Sequence, residues 1–99
     1  MKYPRDLFLG FVKLHILHHA GREAVYGLGL IEELGRHGYR LSPGTLYPIL
    51  HGLEQEHLLA CETHVVEGKV RKYYRLTASG RIALREGKKK ARALMKEIE

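Results

Sequence analysis

The chain has 99 residues, 44% of them hydrophobic and 28% charged, and 17 Lys plus Arg against 11 Asp plus Glu leave a formal charge of +6. That is one domain with enough apolar side chains for a packed core; collagen, a disulfide scaffold and wholesale disorder are excluded. The basic excess points to a polyanionic partner.

Residues 6–20 follow Pro4 and carry Leu7, Phe8, Leu9, Phe11, Val12, Leu14, Ile16 and Leu17. A helix apolar nearly all round is predicted to be buried, and Gly21 is a natural stop. Residues 25–37 place Gly27, Leu30, Ile31 and Leu34 at helical spacing, with Glu32, Glu33 and Arg36 toward water. Gly27, Gly29 and Gly35 each weaken such a helix by about 1 kcal/mol relative to Ala, so it must lean on its neighbours. Gly38 ends it.

Ser42-Pro43 opens a third helix, with Ser as N-cap and Pro at the first helical position. Leu46, Ile49, Leu50 and Leu53 form its apolar stripe, and Gly44, Tyr47, Pro48 and His51 lie opposite. Pro48 removes a backbone donor inside the helix, and a bend is expected there. Residues 59–66 and 70–76 read as strands joined by a tight turn at Glu67-Gly68. Which of Tyr73 and Tyr74 points inward is open at this stage. Thr77 is a candidate N-cap for a last helix over 78–98, roughly 30 Å long. Leu84, Ala91 and Ile98 recur there every seven residues, with Gly87 and Leu94 between them. A single long helix has nothing of its own chain left to pack against, and such a narrow stripe suits a seam with a second copy of the chain.

Charge is uneven along this order. Residues 1–67 hold 6 basic and 8 acidic side chains, whereas 68–96 hold 11 basic and 1 acidic. Clustered Lys and Arg of this kind suit phosphate contacts.

The fold class is therefore mainly α with a small β-hairpin (α+β). A winged helix-turn-helix occupies residues 1–77 and a dimerisation helix 78–99, in one compact unit. Two stretches carry a specific resemblance. Ser42-Pro43-Gly44-Thr45-Leu46-Tyr47-Pro48-Ile49-Leu50 is followed by Leu53-Glu54-Gln55-Glu56 and Leu58-Leu59, and Arg71-Lys72-Tyr73-Tyr74-Arg75-Leu76-Thr77 is followed by Gly80. Together they resemble the signature of the PadR family of transcription regulators, over about Leu7 to Leu84. Tyr26-Gly27-Leu28-Gly29 stands where that family often has His-Gly-Tyr-Glu. The resemblance implies a dimeric, repressor-like, sequence-specific DNA-binding regulator. It would act on a near-palindromic operator and be released by a small-molecule effector. The short C-terminal part resembles the compact type that dimerises through a single last helix.

Ser42, Gly44, Thr45, Tyr47, Pro48 and His51 are the candidate recognition residues, because a helix N-terminus suits a phosphate and these polar groups reach phosphate or base edges. No Arg or Asn lies on this helix, so bidentate base readout is missing there. Arg40, Lys69, Arg71 and Lys72 are expected to supply charge at the wing and its flank, while Arg75 would pair with Glu54 or Glu56. Leu84, Ala91, Leu94 and Ile98 are the candidate dimer seam, and Phe8, Phe11 and His15 candidate effector-pocket residues. A winged-helix module that binds another protein instead of DNA is the alternative reading.

His15 and His19, four apart on one helix, have a spacing that can hold a metal. No Cys, Asp or Glu completes the set nearby. The expectation is therefore no metal and no cofactor, with His15, His18 and His19 lining the contact with the partner's last helix, where a pH-sensitive interface is the other reading. Lone Cys61 is read as a small apolar strand residue, with redox sensing the alternative. It allows no internal disulfide and so implies a reducing compartment. The apolar run from Leu7 ends at Lys13, too short for a membrane span and without a signal-peptide cleavage site. A cytoplasmic chain with no membrane partner is expected. None of Ser42, Ser79, His51 or His57 sits in a nucleophile motif, so no enzymatic activity is expected.

Overall fold

The computed structural model describes residues 5–99. Its elements are α1 (Arg5–Arg22), α2 (Gly27–Arg36), α3 (Pro43–Gln55), β1 (Leu59–Val66), β2 (Lys69–Leu76) and α4 (Ala78–Ile98). All six predicted segments form, with small changes at their ends.

The turns explain why the chain folds in these blocks. Gly38, at φ 88°, follows α2 in the left-handed region. The amide of Tyr39 donates to the Leu34 carbonyl (2.9 Å) and that of Gly38 to Gly35 (3.1 Å), the paired bonds of a Schellman stop. Glu67 and Gly68 both have positive φ, 52° and 77°. This is the two-residue turn whose twist matches a hairpin, and it sets the antiparallel register from Val66 opposite Lys69 to Leu59 opposite Leu76. Thr77 caps α4 by accepting from the Gly80 amide (2.9 Å), while its hydroxyl donates to the His57 carbonyl (2.6 Å) at the end of α3.

The core gathers Val12, Ile16, Leu17 and Ala20 of α1, Leu30 and Leu34 of α2, Leu46, Leu50 and Leu53 of α3, Leu59 of β1 and Tyr74 of β2. Tyr74 is thus the inward tyrosine. Burial pushes its pKa up to about 12, with Cys61 across the strand pair the next cause. Cys61 itself is half-buried.

Three expectations are corrected. Val25 does not begin α2. It forms a β-bridge with Tyr74, exchanging bonds of 2.9 and 2.7 Å, which ties the α1–α2 connection to the wing. Helix α1 is not buried all round: Leu7 and Phe11 are exposed. Helix α4 does find a partner in its own chain. Its first half packs on α1 and β2, Leu84 is half-buried against the core, and Gly87 lies against Leu14. Pro48 lies inside α3, as its place in the pattern predicts. Only the carbonyl one turn back, on exposed Gly44, loses its donor, and water can serve it.

Candidate nucleic-acid interface

The two faces of α3 divide as its pattern predicts. Leu46, Leu50 and Leu53 are buried, whereas Ser42, Gly44, Tyr47, Pro48 and His51 are exposed and Thr45 half-buried. Spacings of three and four residues put Gly44, Tyr47, Pro48 and His51 on one outward stripe. Ser42 takes the N-cap position, but its hydroxyl donates to Thr45 Oγ1 (3.3 Å) and makes no bond to a backbone amide. The first-turn N–H groups therefore lack a side-chain cap. Tyr47 is anchored across the α2–α3 contact: its phenol lies over buried Gly27, where a Cβ would collide with ring and hydroxyl. Only glycine at 27 leaves room for it.

The wing carries the cations. Lys69 and Lys72 are exposed, as is Arg40 in the α2–α3 connection. Arg71 is half-buried, its guanidinium 4.4 Å from the centre of the Tyr26 ring, a cation–π stack. Its pKa is held above the ordinary guanidinium value by the Tyr73 hydroxyl first, with lesser contributions from Tyr26 and Glu67. Tyr73 packs between Tyr26 (5.6 Å between ring centres) and His64 (5.1 Å). The expected pairing of Arg75 with Glu54 or Glu56 is not made. Arg75 Nε instead donates to Glu62 Oε1 at 2.7 Å across the hairpin. That bond, and then His64, hold the Glu62 carboxyl below its usual range. Tyr26 is absent from the sequence-predicted residues. Its proximity to Arg71 follows from the Val25–Tyr74 bridge, which no local pattern announces.

Toward the end of α4, Ala91 is half-buried while Leu94, Met95 and Ile98 are exposed. Phe8, Phe11 and His15 gather around Tyr39, with ring centres 6.3 Å apart for Phe8–Phe11, 6.4 Å for Phe8–Tyr39 and 5.5 Å for His15–Tyr39. They line neither of two surface cavities found elsewhere. One of about 470 Å³ lies between the end of α1 and α2, beside His19 and Glu33, and one of about 350 Å³ between α1 and α4, beside His18 and Lys88. His37, also missed from sequence, joins His15 and His19 through the turn after α2.

This arrangement of helix, wing and C-terminal helix has known relatives. The profile of the Transcriptional regulator PadR-like family matches residues 16–86, from the last third of α1 through nearly the first half of α4. The chain belongs to the PadR-like family of transcriptional regulators. The Transcriptional regulator Rv3488 of Mycobacterium tuberculosis is 53% identical over 94 residues, 95% of this chain and 88% of that one. The crystal structure of a PadR family transcriptional regulator from Eggerthella lenta is 35% identical, with a TM-score of 0.84 over 94% of this chain and 82% of its own. That of a PadR-like transcriptional regulator from Bacillus cereus is 29% identical, with a TM-score of 0.85 over 94% and 92%.

The PadR match contains both stretches that carry the resemblance, and so all of α3 and the wing. It leaves Leu94, Met95 and Ile98 outside. Family membership makes this PadR-like chain a transcriptional regulator, for which DNA is the implied partner. No helix among the described residues is long and apolar enough to cross a membrane.

Proposed function

We propose that this PadR-like regulator is a homodimeric repressor of the cytoplasm that binds a near-palindromic DNA operator and releases it when a small-molecule effector binds. The observation that carries the reading is the outward stripe of α3, Gly44, Tyr47, Pro48 and His51, together with the exposed Lys69 and Lys72 of the wing. In this reading α3 enters the major groove, and the N-terminal amides at Ser42 and Gly44 approach a phosphate. Tyr47 and His51 meet base edges or phosphates. Arg40, Lys69, Arg71 and Lys72 hold the backbone on either side. With neither Arg nor Asn on α3, shape and backbone contacts carry much of the specificity.

Ala91, Leu94, Met95 and Ile98, with exposed Leu7 and Phe11 of α1, supply the apolar surface a second copy would cover; Leu84 forms its inner end. Phe8, Phe11 and His15 then lie near the seam, where an effector could bias it.

Selection from random duplexes of roughly 30 base pairs, about three helical turns, tests this reading. The expected product is an inverted repeat with half-sites about one turn apart. A flat pool with salt-sensitive binding would reduce the protein to a non-specific binder. No retention at low salt would replace the reading with a winged-helix module that binds protein.

A further inference from the structure

Three imidazoles from two elements converge beside the cavity between α1 and α2. His15 and His19 stand four residues apart on one face of α1, with rings stacked at 6.3 Å and 11°. His37, the C-cap of α2, brings its ring within 4.5 Å of His15 and 6.4 Å of His19. One nitrogen from each of the three lies within 4.8 Å of the others. Nitrogens bound at about 2.0–2.1 Å to one tetrahedral ion sit roughly 3.4 Å apart, so modest side-chain rotations close the set. Two histidines at this helical spacing are a recurrent way to present two ligands on one side.

Separate observations point the same way. His19 Nε2 is buried without a hydrogen-bond partner among the described residues, a lone polar atom that a metal would satisfy. The Glu33 carboxylate is 3.5 Å from His37 Nε2 and shares the cavity wall with His19. It can orient the His37 ring, as carboxylates behind metal-bound histidines do, or take an open position itself. The roughly 470 Å³ cavity admits water to that position.

We infer that His15, His19 and His37 bind one divalent transition-metal ion per chain and clamp α1 to the turn that leads into α3. An all-imidazole set with a nearby carboxylate suits Zn²⁺, Co²⁺, Ni²⁺ or Cu²⁺ rather than Ca²⁺ or Mg²⁺. His37 lies five residues before Ser42, so drawing it onto α1 moves the entry of α3. The regulatory half of this inference, that the metal shifts DNA affinity, rests on the DNA-binding reading above; the site itself does not.

The test uses the full chain after chelator dialysis, titrated with Zn²⁺ by calorimetry and with Co²⁺ by visible absorption, without DNA. One equivalent per chain, with the strong Co²⁺ bands of a four- or five-coordinate site, is expected. His37→Gln, at an exposed position that folding tolerates, is expected to weaken Zn²⁺ by more than the roughly 100-fold that an outer-shell change reaches. His19→Gln should do the same and His18→Gln should not. Absence of saturable binding, or binding indifferent to His37→Gln, overturns the site. A second titration measures affinity for the selected duplex with and without Zn²⁺. A change of at least about fivefold, absent in His37→Gln, supports the clamp. Metal bound with no such change overturns the regulatory half and leaves the site standing.

Discussion

The phenol of Tyr47 occupies the space where a side chain at Gly27 would begin. One residue of α2 thereby sets the direction of the exposed ring on α3. Gly27→Ala should displace Tyr47 while changing stability by only about 1 kcal/mol, because alanine's helix propensity partly offsets the collision. Affinity for the selected duplex should fall about as far as in Tyr47→Ala. The double variant should be no worse than Tyr47→Ala alone, a non-additivity that a mutant cycle by fluorescence anisotropy would read.

Lys69 and Lys72 are exposed, whereas Arg71 is stacked on Tyr26. Replacing either lysine by alanine should weaken binding to all duplexes alike and reduce the slope of log K against log salt by about one. Arg71→Lys keeps the charge but loses the planar stack, so it should loosen the wing without much change in slope. Salt titrations on the three variants separate these roles.

Two glycines of α4 are predicted to behave oppositely. A Cβ on buried Gly80 would run into the Leu58 carbonyl, which is backbone, and the Leu76 side chain. Gly80→Ala should cost roughly 1–3 kcal/mol or more, with a matching fall in Tm. A Cβ on Gly87 meets the end of the Leu14 side chain, which can rotate away. Gly87→Ala should stay within about 1 kcal/mol of the parent, the gain in helix propensity offsetting the overlap. Thermal unfolding of both checks that α4 starts against Leu58 and Leu76 and then lies on α1 at Leu14, as described.

Stability should fall as the solution is acidified through the histidine range. His15 and His18 are both held below their ordinary pKa, by burial first and then by positive neighbours. The unfolded chain therefore takes up protons near pH 6.5 that the folded chain resists, and folding weakens as pH drops below that value. His15 faces His19, His37, Glu33 and Tyr39, and only Glu33 opposes the effect. In chelator, Tm should drop between about pH 7.5 and 5.5, and His15→Gln should flatten the profile. Glu62 is lowered instead, so its contribution is lost only below its own ordinary value of 4.5, in a separate window.

Self-association should depend on the outer half of α4. Leu94→Glu or Ile98→Glu puts a charge on the exposed apolar surface and should give a monomer by sedimentation, with folding retained because neither residue is buried in its own chain. A dimer that survives both changes would place the contact elsewhere.

What could be read from the residues was whatever is local. The Glu67-Gly68 turn, the Thr77 cap and the leucine stripe of α3 each depend on a few neighbours in sequence, and each formed as expected. What could not be read was pairing over long separation. Nothing near Val25 announces Tyr74, nothing near His37 announces His15, and the same seven-residue stripe in α4 suits a partner chain or α1. Arg75 chose Glu62 over Glu54 and Glu56 because hairpin register, set at the turn, decides which carboxylate comes within reach.

The bridge between Val25 and Tyr74, with Arg71 and Tyr73 packed on Tyr26, fixes the inner part of the wing. Beyond this anchor the hairpin projects as a cantilever of roughly 10 Å from Arg71 to the turn, at about 3.3 Å per residue. Adding or removing one residue from each strand near the turn changes its reach without moving a single core side chain, because the face of every buried residue is set on the other side of the anchor. The reach of the wing can therefore be altered independently of the stability of the fold.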